Sequence, residues 1–295
     1  MAAETGPRDG TAAPRLNAQV PHSARIWNFW LGGKDNFAVD RELGEHLRQV
    51  YPAIADLARS DRQFLNRAVR YLAGEAGIRQ FLDIGSGLPT VDNTHEVAQR
   101  AAPESRIVYV DNDPLVLLHA RALLTSGPEG ATDYLEADFR DPEALLAAAA
   151  ATLDFTQPVA VMLLGVLGHF GDDDEVAALI ERVMAATAPG SYLVIAHGSS
   201  TSEGLVEAAR QYREGGAETY HLRGPEQLAR FFAGLDLVPP GLVRVPQWRP
   251  DPGADPGPAE AYSHCAIGRV KSNSLYRTDR GGSQWSMPAR GAAGR

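Results

Sequence analysis

The chain has 295 residues, of which 44% are hydrophobic and 22% are charged, and its formal net charge is -9 at pH 7. This composition is typical of a soluble globular protein, and the length allows one large α/β domain with additions or at most two small domains. The negative charge argues against a nucleic-acid partner, because such affinity comes mostly from neutralisation of phosphates by Lys and Arg.

Cysteine content and hydropathy indicate the compartment. Cys265 is the only cysteine, so an intrachain disulfide and a multi-cysteine metal site are excluded. The N-terminus lacks the apolar core of a signal peptide, and the longest apolar stretch, residues 159–167, is too short to span a bilayer. We therefore expect a cytoplasmic protein that has no membrane partner.

The first quarter of the chain is predicted to be helical. Residues 1–20 show no apolar period and are predicted to be a disordered tail. An aromatic-rich helical stretch then ends at two glycines, and a polar loop that contains Lys34 follows. Asp40 is predicted to cap a short helix, and Ser-Asp-Arg-Gln at residues 60–63 matches a capping box that would begin the next helix. Residues 21–78 either pack their aromatic side chains on the main domain or form a lid over a ligand.

The central pattern is a glycine-rich turn between a strand and a helix. Residues 81–87 read Phe-Leu-Asp-Ile-Gly-Ser-Gly, and a second predicted strand, residues 106–110, ends at Asp111. This order is typical of a nucleotide-binding βαβ half, in which the acid accepts hydrogen bonds from two ribose hydroxyls. A dinucleotide-binding fingerprint would have a third glycine at the position of Thr90, and it tends not to have an acid at the position of Asp83. The plain alternative is a turn that only joins the strand to the helix.

Alternating helices and strands continue after Asp111. Asp-Pro pairs at residues 113–114 and 141–142 predict two helix starts, and residues 134–138, 159–164 and 192–196 are predicted strands. Three acids at residues 172–174 precede another helix. They are interpreted either as helix caps, which also favour the positive end of the helix dipole, or as metal ligands.

The C-terminal third breaks this rhythm. Residues 201–215 and 225–232 are predicted to be helices, the first of them exposed. Prolines in residues 237–245 indicate a hairpin or an edge strand, and a last strand is centred on residues 262–267. Two neighbouring strands at the end favour an antiparallel edge on a parallel sheet. Residues 79–270 are therefore predicted to form the main domain, and residues 271–295 to form a second disordered tail.

Three segments together resemble a known family. Residues 30–37 (WLGGKDNF), 81–90 (FLDIGSGLPT) and 108–114 (VYVDNDP) are similar to a bacterial family of S-adenosylmethionine-dependent methyltransferases, common in actinomycetes and long known only as a domain of unknown function. The resemblance covers about residues 21–270. It implies a Rossmann-like class I methyltransferase fold, with a mostly parallel seven-stranded sheet that has an antiparallel edge strand, and S-adenosylmethionine as the cofactor.

The resemblance also implies which residues bind the cofactor. Asp83, Gly85 and Gly87 would contact its methionine portion, and the ribose and the adenine would be bound by the pairs Asp111 with Asn112 and Asp138 with Phe139. Alternatively, Asp138 only accepts hydrogen bonds from turn amides.

The cofactor also carries a carboxylate, which needs a cationic partner. Basic residues are scarce near the sheet motifs, and we expect Lys34 or Arg62 to supply that partner.

Two histidines are candidate general bases. His169 and His197 follow predicted strands at the edge of the sheet where ligands bind, and each could instead only hydrogen-bond a loop. We predict His169 as the catalytic residue. Residues 164–169 (LGVLGH) lack the Asn/Asp-Pro-Pro-aromatic motif of methyltransferases that act on nucleic-acid bases, and they resemble the Leu-His-His form of small-molecule enzymes. Gly168 stands where the first His of that form would fall.

These observations leave three functional hypotheses. The first is a methyltransferase that acts on a small-molecule acceptor, such as a secondary metabolite. The second is a non-catalytic regulatory protein that binds S-adenosylmethionine, supported only by the histidine missing at Gly168. The third is a nicotinamide-dependent oxidoreductase, which Thr90 and the lack of a recognisable Tyr/Lys pair disfavour.

Overall fold

The computed structural model describes residues 17–113, 116, 126–253 and 263–272. Most of the two predicted tails lies outside the described residues. So does the helix predicted after Asp113, apart from Val116.

The described residues contain eight strands in one sheet. The sheet order is β3-β2-β1-β4-β5-β8-β6, and β7 also pairs with β8. Strands β1 to β5 run parallel, and β8 runs antiparallel to β5. The strands are β1 Gln80–Ile84, β2 Arg106–Asp111, β3 Ala131–Glu136, β4 Ala160–Leu164, β5 Tyr192–Gly198, β6 Asp236–Leu237, β7 Val243–Arg244 and β8 Ser263–Arg269.

The predicted fold class is confirmed, with a difference in strand number. The stretch predicted as one edge strand or hairpin forms β6 and β7, two residues each, because Pro239 and Pro240 between them have no N–H group to donate to a neighbouring strand. The third strand begins and ends earlier than predicted. Asp138 therefore lies in the loop after β3 and not at the strand's end.

Helices cover both faces of the sheet. The side chains of β1 alternate between them: Phe81 packs with α3 and α4, whereas Leu82 packs with α5, α6 and α8. Asp83 shares the face of Phe81. The helices are α1 Ser23–Trp30, α2 Ala38–Val50, α3 Ile54–Arg70, α4 Thr94–Ala101, α5 Pro142–Ala149, α6 Asp173–Ala185, α7 Glu203–Glu214 and α8 Pro225–Arg230.

The N-terminal helices form a separate apolar cluster with α7. Ile26 of α1, Leu47 of α2 and Leu57 of α3 are buried there with Tyr212 of α7. The prediction that α7 is an exposed helix is therefore wrong, since one of its faces is covered by α2. Whether residues 21–78 close over the cavity as a lid is a question of motion, so the lid stays a prediction.

Two predicted helix caps behave differently. Asp40 is fully buried, accepts a hydrogen bond from the Phe37 amide at 2.8 Å, and pairs with the Arg25 Nε at 2.7 Å. It caps α2 from the third helical position. The prediction that a capping box at residues 60–63 begins a helix is wrong. Helix α3 begins at Ile54 and runs through Ser60 without a break, and its apolar face is buried from the first turn. Residues 61 and 62 thereby lie mid-helix.

Candidate functional site

A cavity of about 450 Å³ lies at the carboxyl ends of β1, β2 and β4. Its walls also include residues of α1, of α3 and of segment 218–221, which follows α7. Such a volume falls within the range of small-molecule sites, roughly 300 to 1,000 Å³. Nine of the predicted site residues line it: Arg62, Asp83, Gly85, Gly87, Asp111, Asn112, Asp138, Phe139 and His169.

The glycine-rich turn brings the backbone to the cavity wall. Gly85 and Gly87 have φ angles of 73° and 65°, a left-handed conformation that side chains rarely adopt. A Cβ at Gly85 would lie 2.5 Å from the Cβ of Val166, so the turn packs directly against the segment after β4. A Cβ at Gly87 would meet nothing within 4 Å, which leaves room beside it for a ligand.

Asp111 joins the turn to the end of β2. Its two carboxylate oxygens accept hydrogen bonds from the Gly87 amide and the Asp113 amide, each at 3.0 Å. Burial raises the pKa of Asp111, and these two hydrogen bonds oppose that effect. Each oxygen keeps a second lone pair, so the fixed carboxylate can also accept from two ligand hydroxyls.

Asp83 lies beneath the turn and is 4% exposed. The Thr94 hydroxyl donates to its Oδ2 at 2.6 Å. Burial raises the pKa of Asp83 to about 6, although the Thr94 hydrogen bond and the nearby charge of Arg62 lower it. The carboxylate is therefore mostly ionised at neutral pH and favours a cation in the cavity.

The structure brings Arg62 to the cavity, but not Lys34. The Arg62 Nη2 donates to the Val91 carbonyl at 2.9 Å and lies 3.3 Å from the Asn93 Oδ1. Burial lowers the pKa of Arg62, and Asp83 is the largest influence that raises it. Lys34 is exposed and does not line the cavity.

The pair predicted to bind adenine lies at the cavity's edge. Asp138 is exposed, and its Oδ1 accepts from the Arg140 amide at 2.8 Å, as the turn interpretation expects. Its Oδ2 is 3.6 Å from the Arg140 Nη1. Phe139 is buried with its ring edge-on to Phe170 at 5.7 Å. The two roles predicted for Asp138 are compatible, because the amide occupies only one of its oxygens.

The two candidate histidines occupy different environments. His169 lines the cavity, and burial lowers its pKa, while Glu218 raises it. Its Nδ1 lies 3.5 Å from the Glu218 Oε2, but no hydrogen bond to it forms within the described part of the chain. His197 is fully buried outside the cavity wall and its Nε2 is 2.9 Å from the His221 carbonyl oxygen. Burial lowers the pKa of His197 to about 3, so it stays neutral.

Several residues of the cavity wall were not predicted from the sequence, and two of them, Asp61 and Tyr220, bear on the chemistry of the site. Asp61 comes from α3 and Tyr220 from segment 218–221. The Tyr220 ring stacks on His197 with centroids 5.6 Å apart, and it fills the space that a Cβ on Gly168 would need. Asp61 had one available signal, since an acid at the middle of a helical apolar face is unusual, but the capping-box interpretation accounted for it.

Comparison with known proteins identifies the family. The family model described as S-adenosyl methyltransferase matches residues 9–271. The chain belongs to this S-adenosyl methyltransferase family. S-Adenosylmethionine is therefore its cofactor, as the sequence resemblance implies.

Two solved structures are similar to this methyltransferase family member over most of its length. A DUF574 family protein from Streptomyces avermitilis is 41% identical, with a TM-score of 0.82 over 87% of this chain and 100% of its own. A candidate methyltransferase from Thermobifida fusca is 43% identical, with a TM-score of 0.81 over 89% of this chain and 100% of its own. None of the curated proteins matches the chain.

The residues of the cavity fit the methyltransferase cofactor. Asp111 offers two oxygens to a ribose, and the space beside Gly87 admits a ligand against the backbone. Asp83 is a buried acid suited to an ammonium group, and Arg62 is a cation suited to a carboxylate. These groups all lie on the side of the cavity next to β1 and β2.

Proposed function

We propose that this protein transfers a methyl group from S-adenosylmethionine to a small-molecule acceptor bound in the same cavity. The observation that carries the proposal is the continuity of the cavity. It reaches from the glycine-rich turn and Asp111, which fit the cofactor, to Asp61, His169 and Tyr220, which lie beyond the cofactor residues. Titratable groups at that far end can bind an acceptor and exchange a proton with it.

The chain's residues have three tasks in this proposal. S-Adenosylmethionine supplies a methyl group that its sulfonium already activates. Trp27, Leu31 and Leu65 give the cavity apolar walls that exclude water, and the acceptor is held in line for attack. A group with a pKa near neutral removes a proton where the acceptor carries one. His169 and Asp61 are the candidates.

The regulatory alternative loses its support from Gly168. The histidine that is missing at Gly168 does not leave an empty position in the cavity wall, because the Tyr220 ring occupies the space that a side chain on Gly168 would need. The cavity wall there is built from a different side chain. The negative net charge of -9 further supports a small molecule over a nucleic acid as the acceptor.

A transfer experiment tests the proposal. The purified protein is incubated with methyl-labelled S-adenosylmethionine and, in separate reactions, with small metabolites, total RNA and total protein from a Streptomyces culture. We expect label in the metabolites alone. Label in RNA or protein would contradict the proposed acceptor class, and a protein that binds S-adenosylhomocysteine but labels nothing would contradict catalysis.

A further inference from the structure

The far end of the cavity contains a carboxylate that the cofactor does not account for. Asp61 projects from α3 into the cavity wall, where Ser263 of β8 donates a hydrogen bond to its Oδ2 at 3.1 Å. Its Oδ1 is shielded from water and has no hydrogen-bond partner in the described part of the chain. An ionised oxygen in that state is costly, and a buried group without a partner needs an explanation.

The neighbouring side chains hold the Asp61 carboxylate in place, but none of those described below offsets its negative charge. Ser263 is 1% exposed, so the donor to Oδ2 is fixed by the sheet. Tyr220 and Cys265 are the titratable groups whose charged forms interact with Asp61, and burial raises the pKa of both well above neutral, so both stay uncharged. Burial likewise raises the pKa of Asp61 to about 7, which suits a base near neutral pH.

The two arginines of the cavity wall are engaged elsewhere. Arg62, the next residue along α3, donates to the Val91 carbonyl, and Arg140 lies beside Asp138 with its guanidinium 4.4 Å from the centre of the Phe170 ring. Glu218 adds a second acid at the rim, beside His169. The far end is therefore acidic, and it is complementary to a positively charged acceptor that can donate hydrogen bonds.

We propose that the acceptor is a primary or secondary amine, and that Asp61 binds it as an ammonium ion and then acts as its general base. This inference rests on the proposed function and names the substrate class. An ammonium ion pairs by charge with a buried carboxylate and is a much stronger acid than an alcohol, so Asp61 fits an amine better than an alcohol. An amine also supplies the N–H donor that Asp61 lacks.

Methyl transfer requires the acceptor amine in its neutral form. The ammonium proton moves to the Asp61 carboxylate, which leaves a lone pair on the acceptor nitrogen. That lone pair forms a bond to the methyl carbon while the carbon–sulfur bond breaks and its electrons return to sulfur. The products are the methylated ammonium ion and S-adenosylhomocysteine, and Asp61 then releases its proton to water.

Selective blocking of amines tests the substrate class. One half of a Streptomyces metabolite extract is treated with N-hydroxysuccinimidyl acetate, which acylates amines, and the other half is mock-treated, before incubation with the protein and labelled S-adenosylmethionine. We expect the label to be incorporated only with the mock-treated half. Equal incorporation in both halves would overturn the amine assignment, and none in either half would overturn the proposed function itself.

A matched pair of variants tests Asp61. Asp61→Asn should lower incorporation at least about 100-fold, as expected for loss of a general base, while S-adenosylhomocysteine still binds within twofold of wild type. Asp56→Asn is the control, because Asp56 lies on the same helix and pairs with Arg59 at the surface. Full activity in Asp61→Asn, or loss of its cofactor binding, would overturn the role of Asp61.

Discussion

We expect cofactor binding to depend most on Asp111. A hydrogen bond to a charged group contributes about 1.5 to 3 kcal/mol, so loss of the ribose contacts in Asp111→Ala should lower affinity for S-adenosylhomocysteine at least tenfold. Glu136→Ala is the matched control, since Glu136 lies opposite Asp111 in the sheet, is exposed and does not line the cavity. Titration calorimetry measures both. Equal affinity of the two variants would mean that the ribose binds elsewhere.

Arg62 and Lys34 form a second matched pair of basic residues. The structure places only Arg62 at the cavity. We expect Arg62→Ala to weaken S-adenosylhomocysteine binding at least about tenfold through loss of the ion pair with the cofactor carboxylate, and Lys34→Ala to bind normally. The same calorimetric titration compares them. The reverse result would place the carboxylate's partner in the loop after α1.

Asp61 should make stability depend on pH in a definite direction. Its pKa is about 7 in the folded protein, against 3.8 for a free Asp side chain, so between these values the folded state binds more protons than the unfolded state. Its contribution to stability therefore falls as the pH rises from about 4 to about 7 and is constant above that range.

Thermal melts of Asp61→Asn and wild type isolate this effect. The variant's gain in melting temperature should be smallest near pH 4 and should grow to a plateau above pH 7. The comparison at each pH cancels His197, whose lowered pKa acts in the opposite direction, since a folded state that keeps His neutral gains stability as the pH rises from about 3 to 6.5. A gain that does not change with pH would contradict a raised pKa of Asp61.

At the level of secondary-structure elements, segment 218–221 is coupled to the 3₁₀ turn Val166–His169. Gly168 has no side chain, and that allows the Tyr220 ring to pack against this turn. Gly168→Ala should cost about 1 to 3 kcal/mol in wild type through overpacking, and much less in a Tyr220→Ala background.

Denaturant unfolding of the single and double variants measures this coupling. Gly74→Ala serves as a control, because a Cβ there would meet nothing within 4 Å. Additive losses in the double variant would show that Gly168 does not make room for Tyr220.

Elements with a strong local pattern could be predicted from the sequence, whereas their lateral contacts could not. The apolar runs placed β1, β2, β4 and β5 close to their observed positions, and the Asp-Pro pair at residues 141–142 did the same for α5. The Ser-Asp-Arg-Gln pattern led to a wrong helix start. A capping box is a signal of only four residues, and the burial of Ile54 and Leu57 extends α3 through it. The burial of α7 depends on α2, far away in the chain, and no local pattern records it.

Across the whole molecule, the residues that line the glycine-rich side of the cavity could be predicted from the sequence, and those at the far end could not. Gly85, Gly87 and Asp111 lie in one βαβ unit, β1–α4–β2, so their spacing along the chain carries the signal. Asp61 comes from a helix before the sheet, Ser263 from the last strand and Tyr220 from a loop after α7, and only the fold brings them together.

Among the helices of the described ranges, none combines the length and the apolar character that a membrane span requires.

The arrangement of one cavity with a cofactor side and an acceptor side is tested most directly by a crystal structure of the S-adenosylhomocysteine complex. We expect the ribose hydroxyls within hydrogen-bond distance of Asp111, the carboxylate beside Arg62, and the sulfur turned towards Asp61 and Tyr220 with open space between them. Cofactor density that fills the Asp61 end, or that lies away from the glycine-rich turn, would contradict this arrangement.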